Sequence, residues 1–257
     1  AQSRITQNNL KDARSLLQAS LANLAVLSSK KAEDAKQQLN QTLDGIDRTS
    51  DKQPELFADP ATQNKDFKAN FITALQNQVY TIDTDGNAFA IGQNDITPLN
   101  QFKITPRFAF SDSSFVSVFN GSDTFGAYDL KIQKTNAYSL KEPVPAVDAV
   151  LYESNLYTLS GNAIYKYADA ATGGTKRTIW ASDNTSGNLT AITADGNIYT
   201  LNSDGKLIKY FKGKKTGELD LRLSPASGSR ISTFKDSAFL FLADKTNKRL
   251  YIFDKTN

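Results

Sequence analysis

The stretch from Leu189 to Tyr210 constrains this chain most. It reads LTAITADGNIYTLNSDGKLIKY, which is strand, Asp-Gly turn, strand, Asp-Gly turn, strand. Asp-Gly between alternating apolar runs is a strong short-range hairpin signal, because glycine accepts the positive φ of a tight primed turn. The same unit returns along the chain. The second strands align as Val79-Tyr80-Thr81-Ile82, Phe115-Val116-Ser117-Val118, Leu156-Tyr157-Thr158-Leu159, Ile198-Tyr199-Thr200-Leu201 and Phe239-Leu240-Phe241-Leu242, spaced by 36, 41, 42 and 41 residues.

Each second strand is preceded by a short apolar run: Phe71 to Leu75, Arg107 to Phe110, Val147 to Leu151, Leu189 to Ile192 and Ile231 to Phe234. Each is succeeded by a hairpin partner: Asn87 to Ile91, Phe125 to Leu130, Ala163 to Tyr167, Lys206 to Tyr210 and Arg249 to Phe253. A fourth strand is expected between units, at Gln101 to Thr105, Thr175 to Trp180 and Gly217 to Arg222. A single four-stranded meander cannot bury both of its apolar faces. Stacking such sheets around an axis buries them against neighbours and leaves only short edges.

Four short strands per roughly 40 residues, in tandem, resemble the β-propeller superfamily, here of a bacterial, non-WD type with five countable blades. The resemblance covers roughly residues 55 to 257. The paired runs Asn-Leu-Tyr-Thr-Leu at 155–159 and Asn-Ile-Tyr-Thr-Leu at 197–201 carry it. The WD-repeat pattern is not met, since no Gly-His precedes the strands and the chain has no His. The tryptophan-docking pattern of quinoprotein propellers is not met either, because Trp180 is the only Trp. The fifth unit ends after its third strand. Leu56-Phe57 is therefore read as a strand that closes a five-bladed ring from the N-terminal side, against the rival of a larger ring cut at Asn257.

Ahead of the repeats, Asn8 to Asp47 holds no Pro and one Gly, and is rich in Ala, Leu, Gln and Lys. Leu10, Ala13, Leu17, Leu21, Leu24 and Leu27 make one apolar stripe, and Ala32, Ala35, Leu39, Leu43 and Ile46 make a second. The phase breaks at Ser28-Ser29-Lys30-Lys31, where Ser28 or Ser29 is placed to cap a new helix. The stripes fit a helical hairpin, or a coiled-coil stalk that projects the repeats. The expected organisation is thus a helical segment over 1–50, a linker over 51–70 marked by Pro54 and Pro60, and a propeller over 71–257.

Composition bounds the chemistry. The 257 residues include no Cys, His or Met, and the net charge is +3. There is no thiolate nucleophile, no disulfide and no imidazole base or ligand. The charge is too small to argue for nucleic acid. No run approaches the roughly 18 apolar residues of a membrane span, so a membrane anchor is expected only outside this sequence. The lack of Met and the start at Ala1 read as a fragment, domain or processed chain. Cys-free composition fits an extracytoplasmic setting, with a cytoplasmic one as the alternative.

Several local patterns are candidates for a site. Asp83-Thr84-Asp85-Gly86-Asn87 has the opening of a calcium loop, but Asn94 stands where the closing Glu is required, so a hairpin turn is expected. Asp195-Gly196-Asn197 and Asp204-Gly205-Lys206 are expected to be the same kind of turn. Lys206, Lys209, Lys212, Lys214 and Lys215 with Tyr210 and Phe211 form a basic stretch, which the adjacent Glu218 and Asp220 reduce to a solvated loop. Ser122-Asp123-Thr124 and Asn184-Thr185-Ser186 are polar loops. Asn120-Gly121-Ser122 and Asn188-Leu189-Thr190 match the N-glycosylation pattern, relevant only in a secretory host. Tyr and Phe of the second strands are expected to be core between blades. Asp148 is the one clear acid on the inner strands, and glycoside hydrolysis needs a pair.

No catalytic, metal or cofactor residue is assigned from these patterns. The expected function is a non-catalytic scaffold that recognises a protein with the loops at one end of the ring. The resemblance extends to membrane-tethered bacterial proteins with extracytoplasmic propellers. A carbohydrate-binding propeller is the alternative, and a five-bladed glycosidase the third.

Overall fold

The computed structural model describes residues 12–13, 16–46, 55–75, 77–92, 95–182, 185–221, 225–246 and 248–255. The chain divides into two compact units, 1–56 and 57–257.

In the first unit, residues 16–24 (α1) are helical, and α2 runs Lys30–Ile46. Ser29 caps α2: its Oγ accepts the Ala32 N–H at 3.3 Å and its carbonyl accepts the Glu33 N–H at 3.0 Å. The break in the apolar stripe is therefore a true helix boundary. Lys36 ties the two segments by donating to the Leu27 carbonyl at 2.9 Å. Ala32 and Leu43 are the buried residues of α2. Among the described residues no helix is long and apolar enough to cross a membrane.

The second unit is a five-bladed β-propeller. The blades are antiparallel meanders: β1–β4 (Phe71–Leu75, Gln78–Ile82, Ala88–Ile91, Ile96–Pro98), β5–β8 (Phe108–Asp112, Phe115–Phe119, Thr124–Asp129, Lys134–Ser139), β9–β12 (Asp148–Tyr152, Asn155–Ser160, Ala163–Tyr167, Arg177–Ser182), β13–β16 (Leu189–Ala194, Ile198–Asn202, Lys206–Phe211, Lys214–Asp220) and β17–β19 (Arg230–Ser232, Phe239–Asp244, Arg249–Asp254). The last blade has three strands among the described residues. The inner strands β1, β5, β9, β13 and β17 lie side by side in that order.

The seams between blades are the core. Tyr80 and Ile82 of the first blade pack on Val116 and Val118 of the second. Phe119 and Phe125 pack on Leu156 and Leu151, Tyr157 and Leu159 on Ile192 and Ile198, and Tyr199 and Leu201 on Leu240 and Leu242. Each blade thus offers one apolar face to its predecessor and the other to its successor, as the repeat requires. Trp180 sits at the third seam, edge-on to Tyr157 at 5.6 Å and to Tyr210 at 6.5 Å.

This facing pattern corrects the repeat alignment. Val116 and Leu240, not Phe115 and Phe239, occupy the position of Leu156 and Ile198, each turned toward the preceding blade. A one-residue slip exchanges the faces of a strand, so pattern matching on apolar runs alone picked the wrong neighbour. Two further expectations are corrected. The first blade's outer strand is Ile96–Pro98. The run Gln101 to Thr105 is not a strand; its Phe102 and Ile104 are buried in the first seam, against Gly126. Leu56 and Phe57 lie in no strand and are exposed, so they do not complete the last blade. The segment after them instead lays Ala58 and Phe67 on Phe89 and Ile91, covering part of the outer face of the first blade, with Phe67 edge-on to Phe89 at 4.7 Å.

Candidate functional site

The five inner strands line a cavity of about 1060 Å³. Four of these strands open on residues that share one level, and β13 reaches that level at its third residue, Ala191. Phe71, Phe108, Asp148, Ala191 and Arg230 hold equivalent positions, fixed by the strand pairings one residue before Ile72, Ala109, Ala149, Ile192 and Ile231. Asp148 is buried. Its carboxylate accepts the Ile192 N–H of the next blade at 3.0 Å and the Ala149 N–H at 2.9 Å, and it pairs with the Arg230 guanidinium from across the cavity. Burial pushes the Asp148 carboxyl up to about 6, with Arg230, the two backbone N–H groups and Arg107 opposing. The Arg107 and Arg230 guanidinium carbons lie 5.3 and 5.4 Å from the ring centre of Phe108.

Polar bonds tie the inner strands to one another along the cavity. Ser111 Oγ donates to the Ala74 carbonyl at 2.6 Å and meets Thr73 Oγ1 at 2.7 Å. Asp112 accepts the Ser154 N–H at 2.9 Å, and Thr193 Oγ1 accepts the Thr233 N–H at 3.1 Å. Lys255 bonds Asp195 and Thr233, joining the last strand to the fourth blade. Burial raises the Asp195 carboxyl, but its bonds from Lys255 and Asn197 outweigh that and hold it below the ordinary value.

The inward acid picked out by sequence is thus half of an Arg–Asp pair with its lone pairs engaged by three donors. The geometry gives Asp148 a bracing role: it locks the third blade to the fourth and the fifth.

The other singled-out patterns resolve into turns. Asp83 Oδ1 accepts the N–H of Asp85 at 2.9 Å and of Asn87 at 2.8 Å, while Oδ2 accepts from the Asn87 side chain at 2.7 Å. Both carboxylate oxygens therefore organise the turn. Asn202 does the same for Asp204 and Lys206, and Asn120 for Ser122, Asp123 and Thr124. Asp204-Gly205 is the counterpart of Asp85-Gly86, both joining second and third strands, whereas Asp195-Gly196 joins the first and second strands of its blade. The basic stretch is not a loop but the β15–β16 hairpin, with Lys212-Gly213 at its tip. Lys206 and Lys215 both bond Glu218, at 2.9 and 2.7 Å, and Lys209 stands over Tyr199. Ser186 is buried, its carbonyl accepting from Asn202 at 2.6 Å; Asn184 lies outside the described residues.

Sequence reasoning missed the surface that the repeats leave uncovered. On the last blade, Phe241 pairs with Ile252 and Ala243 with Leu250, so these four side chains share one face. It is the face that Tyr199 and Leu201 present to a successor in the fourth blade. Leu207 of the fourth blade and Leu250 of the fifth are equivalent, yet Leu207 is 6% exposed and Leu250 62%. Ile252 is 59% and Phe239 46% exposed. On the first blade, the inner-strand residue Ile72 is 77% exposed on the face that a predecessor would cover. The alternation of Arg249 to Asp254 carried the signal: both alternating sets, Leu250 and Ile252 against Tyr251 and Phe253, are apolar, which marks a strand built to be covered on both sides.

The fold and these seams define the class: the chain is a five-bladed β-propeller of antiparallel sheets, four-stranded in the first four blades and three-stranded among the described residues of the last, preceded by a helical segment. No known family pattern and no characterised protein matches it by sequence. Similar solved structures include one titled as the mitotic checkpoint complex (10% identity, TM-score 0.47, 72% of this chain and 61% of that one). YCF48 bound to D1 peptide is another (14%, 0.47, 70% and 62%), as is BamB from Moraxella catarrhalis (11%, 0.44, 71% and 57%). The chain spans less than two thirds of each of these proteins, and the likeness is one of fold.

Proposed function

We propose that the chain is a non-catalytic module that binds another protein. The uncovered apolar face of the last blade carries this reading. Phe239, Phe241, Leu250 and Ile252 sit together on a rigid sheet, and a contiguous exposed apolar surface of this kind marks a site of association. The cavity supports the same reading from the other side, because its buried carboxylate is already spent on Arg230 and two backbone donors. We further propose an extracytoplasmic setting within a larger membrane-tethered protein, with which the Cys-free composition is compatible and which fractionation of the source cell tests.

The direct test places a photo-cross-linking side chain at Leu250 of the full chain, and in a second sample at Ile132, which is also exposed but lies on another blade. Protein adducts in source-cell extract at 250 and not at 132 are expected. Polysaccharide as the sole captured species would replace this reading with a carbohydrate-binding one.

A further inference from the structure

We propose that Arg107 and Arg230, at the end of the axial cavity where the inner strands begin, bind a carboxylate supplied by the partner protein. That a protein supplies it rests on the protein-binding reading; the site itself is read from the cavity and not from the last blade.

The inference comes from a charge left over. Among the described residues, six charged side chains line the cavity. Asp112, Glu153 and Lys235 stand at or beyond the far ends of β5, β9 and β17, whereas Arg107, Asp148 and Arg230 stand where these strands begin. That end thus sets two guanidinium groups against one carboxylate. Asp148 is already engaged by Arg230, the Ala149 N–H and the Ile192 N–H. Asp123, in the turn beside Arg107, accepts instead from the Asn120 and Thr124 side chains at 2.8 and 3.0 Å. Among the described residues the Arg107 guanidinium therefore has an aromatic ring against it and no acceptor.

Both guanidinium groups are placed by the fold. The Arg107 N–H donates to the Phe119 carbonyl at 2.9 Å, which fixes the residue at the head of β5. Its stem crosses Gly121, whose φ is +86°, so closely that a Cβ there would stand 2.6 Å from Arg107 Cδ. The Phe108 ring, itself buried and stacked on Phe119 at 6.0 Å, carries both cations, with their central carbons 5.3 and 5.4 Å from its centre. A guanidinium against a ring keeps its planar fork of donors for a partner. Arg230 pairs with Asp148, yet its side chain is 49% exposed, so part of its five-donor fork faces outward.

Two like charges on one ring repel, and an anion reaching both relieves that repulsion. The adjoining walls, Phe108, Ala149, Ile192 and Ile231, are apolar and strengthen the attraction over its value in open water. The surplus is a single positive charge, which one carboxylate neutralises. A carboxylate also accepts the paired donors of a guanidinium, and the walls suit apolar residues on either side of it in a peptide.

The probe is the tripeptide Leu-Glu-Leu capped at both ends, titrated into the full chain while the arginine Nε–H groups are followed by ¹⁵N NMR. Saturable shifts are expected at Arg107 and Arg230. Capped Leu-Gln-Leu should leave both unmoved, and Leu-Gln-Leu with a free C-terminus shows whether a chain end serves as well as an acidic side chain. Arg107→Gln should weaken binding about tenfold, the loss of a charge-assisted pair. Arg107 is exposed, and the backbone spectrum verifies that the variant keeps its fold. Arg177→Gln is the control: Arg177 also stands against a ring, Tyr165 at 4.9 Å, but lies on the outer strand β12 and pairs with Glu142, so its loss should not change binding.

The proposal is overturned if neither carboxylate peptide shifts Arg107 and Arg230, if the capped Gln peptide binds equally well, or if the two Arg variants weaken binding alike. Acetate saturating the same signals at the same concentration would overturn a protein as the source. If Leu250 cross-links to a protein while the peptides leave the arginines unmoved, the protein-binding reading stands and this site falls. If the peptides bind and no protein is captured, the carboxylate site stands and its protein source falls.

Discussion

Asp148→Asn isolates the energetic role of the buried acid, and its effect is legible in pH. The carboxyl is almost fully buried and its folded-state pKa is about 6, against an ordinary 3.8, because desolvation outweighs Arg230, the two backbone donors and Arg107. The native state therefore holds a proton between about 3.8 and 6 that the unfolded chain has released. The stabilisation this gives is full below 3.8 and is lost as the pH rises through about 6. At 1.36 kcal/mol per pKa unit, the whole swing is about 3 kcal/mol. The substituted amide does not titrate. It keeps the volume and one acceptor, and leaves Arg230 unpaired but half exposed to water. That cost is the same at every pH. The observable is thus the difference in unfolding free energy, wild type minus variant, which should fall by most of about 3 kcal/mol between about pH 4 and 7. Urea unfolding, with the fluorescence of Trp180 as the signal, reads it at constant ionic strength. With a slope of about 2–3 kcal/mol per molar, the two midpoints should move relative to each other by roughly 1 M. Parallel midpoint curves would refute the reasoning, because they would mean that Asp148 binds its proton equally in the folded and unfolded chain.

The seams and turns give three more tests. Leu159→Ala, at a fully buried position of the third seam, should cost about 3 kcal/mol in urea unfolding, whereas Leu250→Ala should cost under about 1 kcal/mol; equal costs would show that the face bearing Leu250 is covered. Gly86→Ala should destabilise by about 2 kcal/mol, since φ is +81° and a Cβ would stand 2.8 Å from the Ile104 carbonyl oxygen. Gly217→Ala, with only Lys209 Cβ in ordinary contact, should be near neutral in the same assay. Asp83→Ala should cost about 2 kcal/mol by stripping three donors of their acceptor, and calcium should leave the melting temperature of the wild type unchanged. A calcium-dependent rise would restore the metal reading of that loop.

The architecture was legible because a propeller is written in period-two strands, Asp-Gly turns and a spacing of about 40 residues, all local properties of the chain. Ser29 as a cap and the Asp83 turn were legible for the same reason: a side-chain oxygen reaching a backbone N–H two to four residues away needs no tertiary context. The identity of Asp148 as an inward acid was also visible, since it opens an otherwise apolar inner strand.

Tertiary structure alone decided the rest. Which face of each second strand looks backward turns on a single residue of register, and both alternating sets are apolar in Phe239 to Leu242, so the pattern could not choose. Asp148 is an ion-paired brace because Arg230, 82 positions later in the chain, reaches it across the cavity, a pairing that no spacing rule encodes. The chain itself determines five apolar sheets; the packing determines that four seams are filled while Leu250 and Ile252 remain in water. Burial depends on what lies opposite, and for a repeated sheet the opposite surface belongs to a neighbour that the local sequence does not specify.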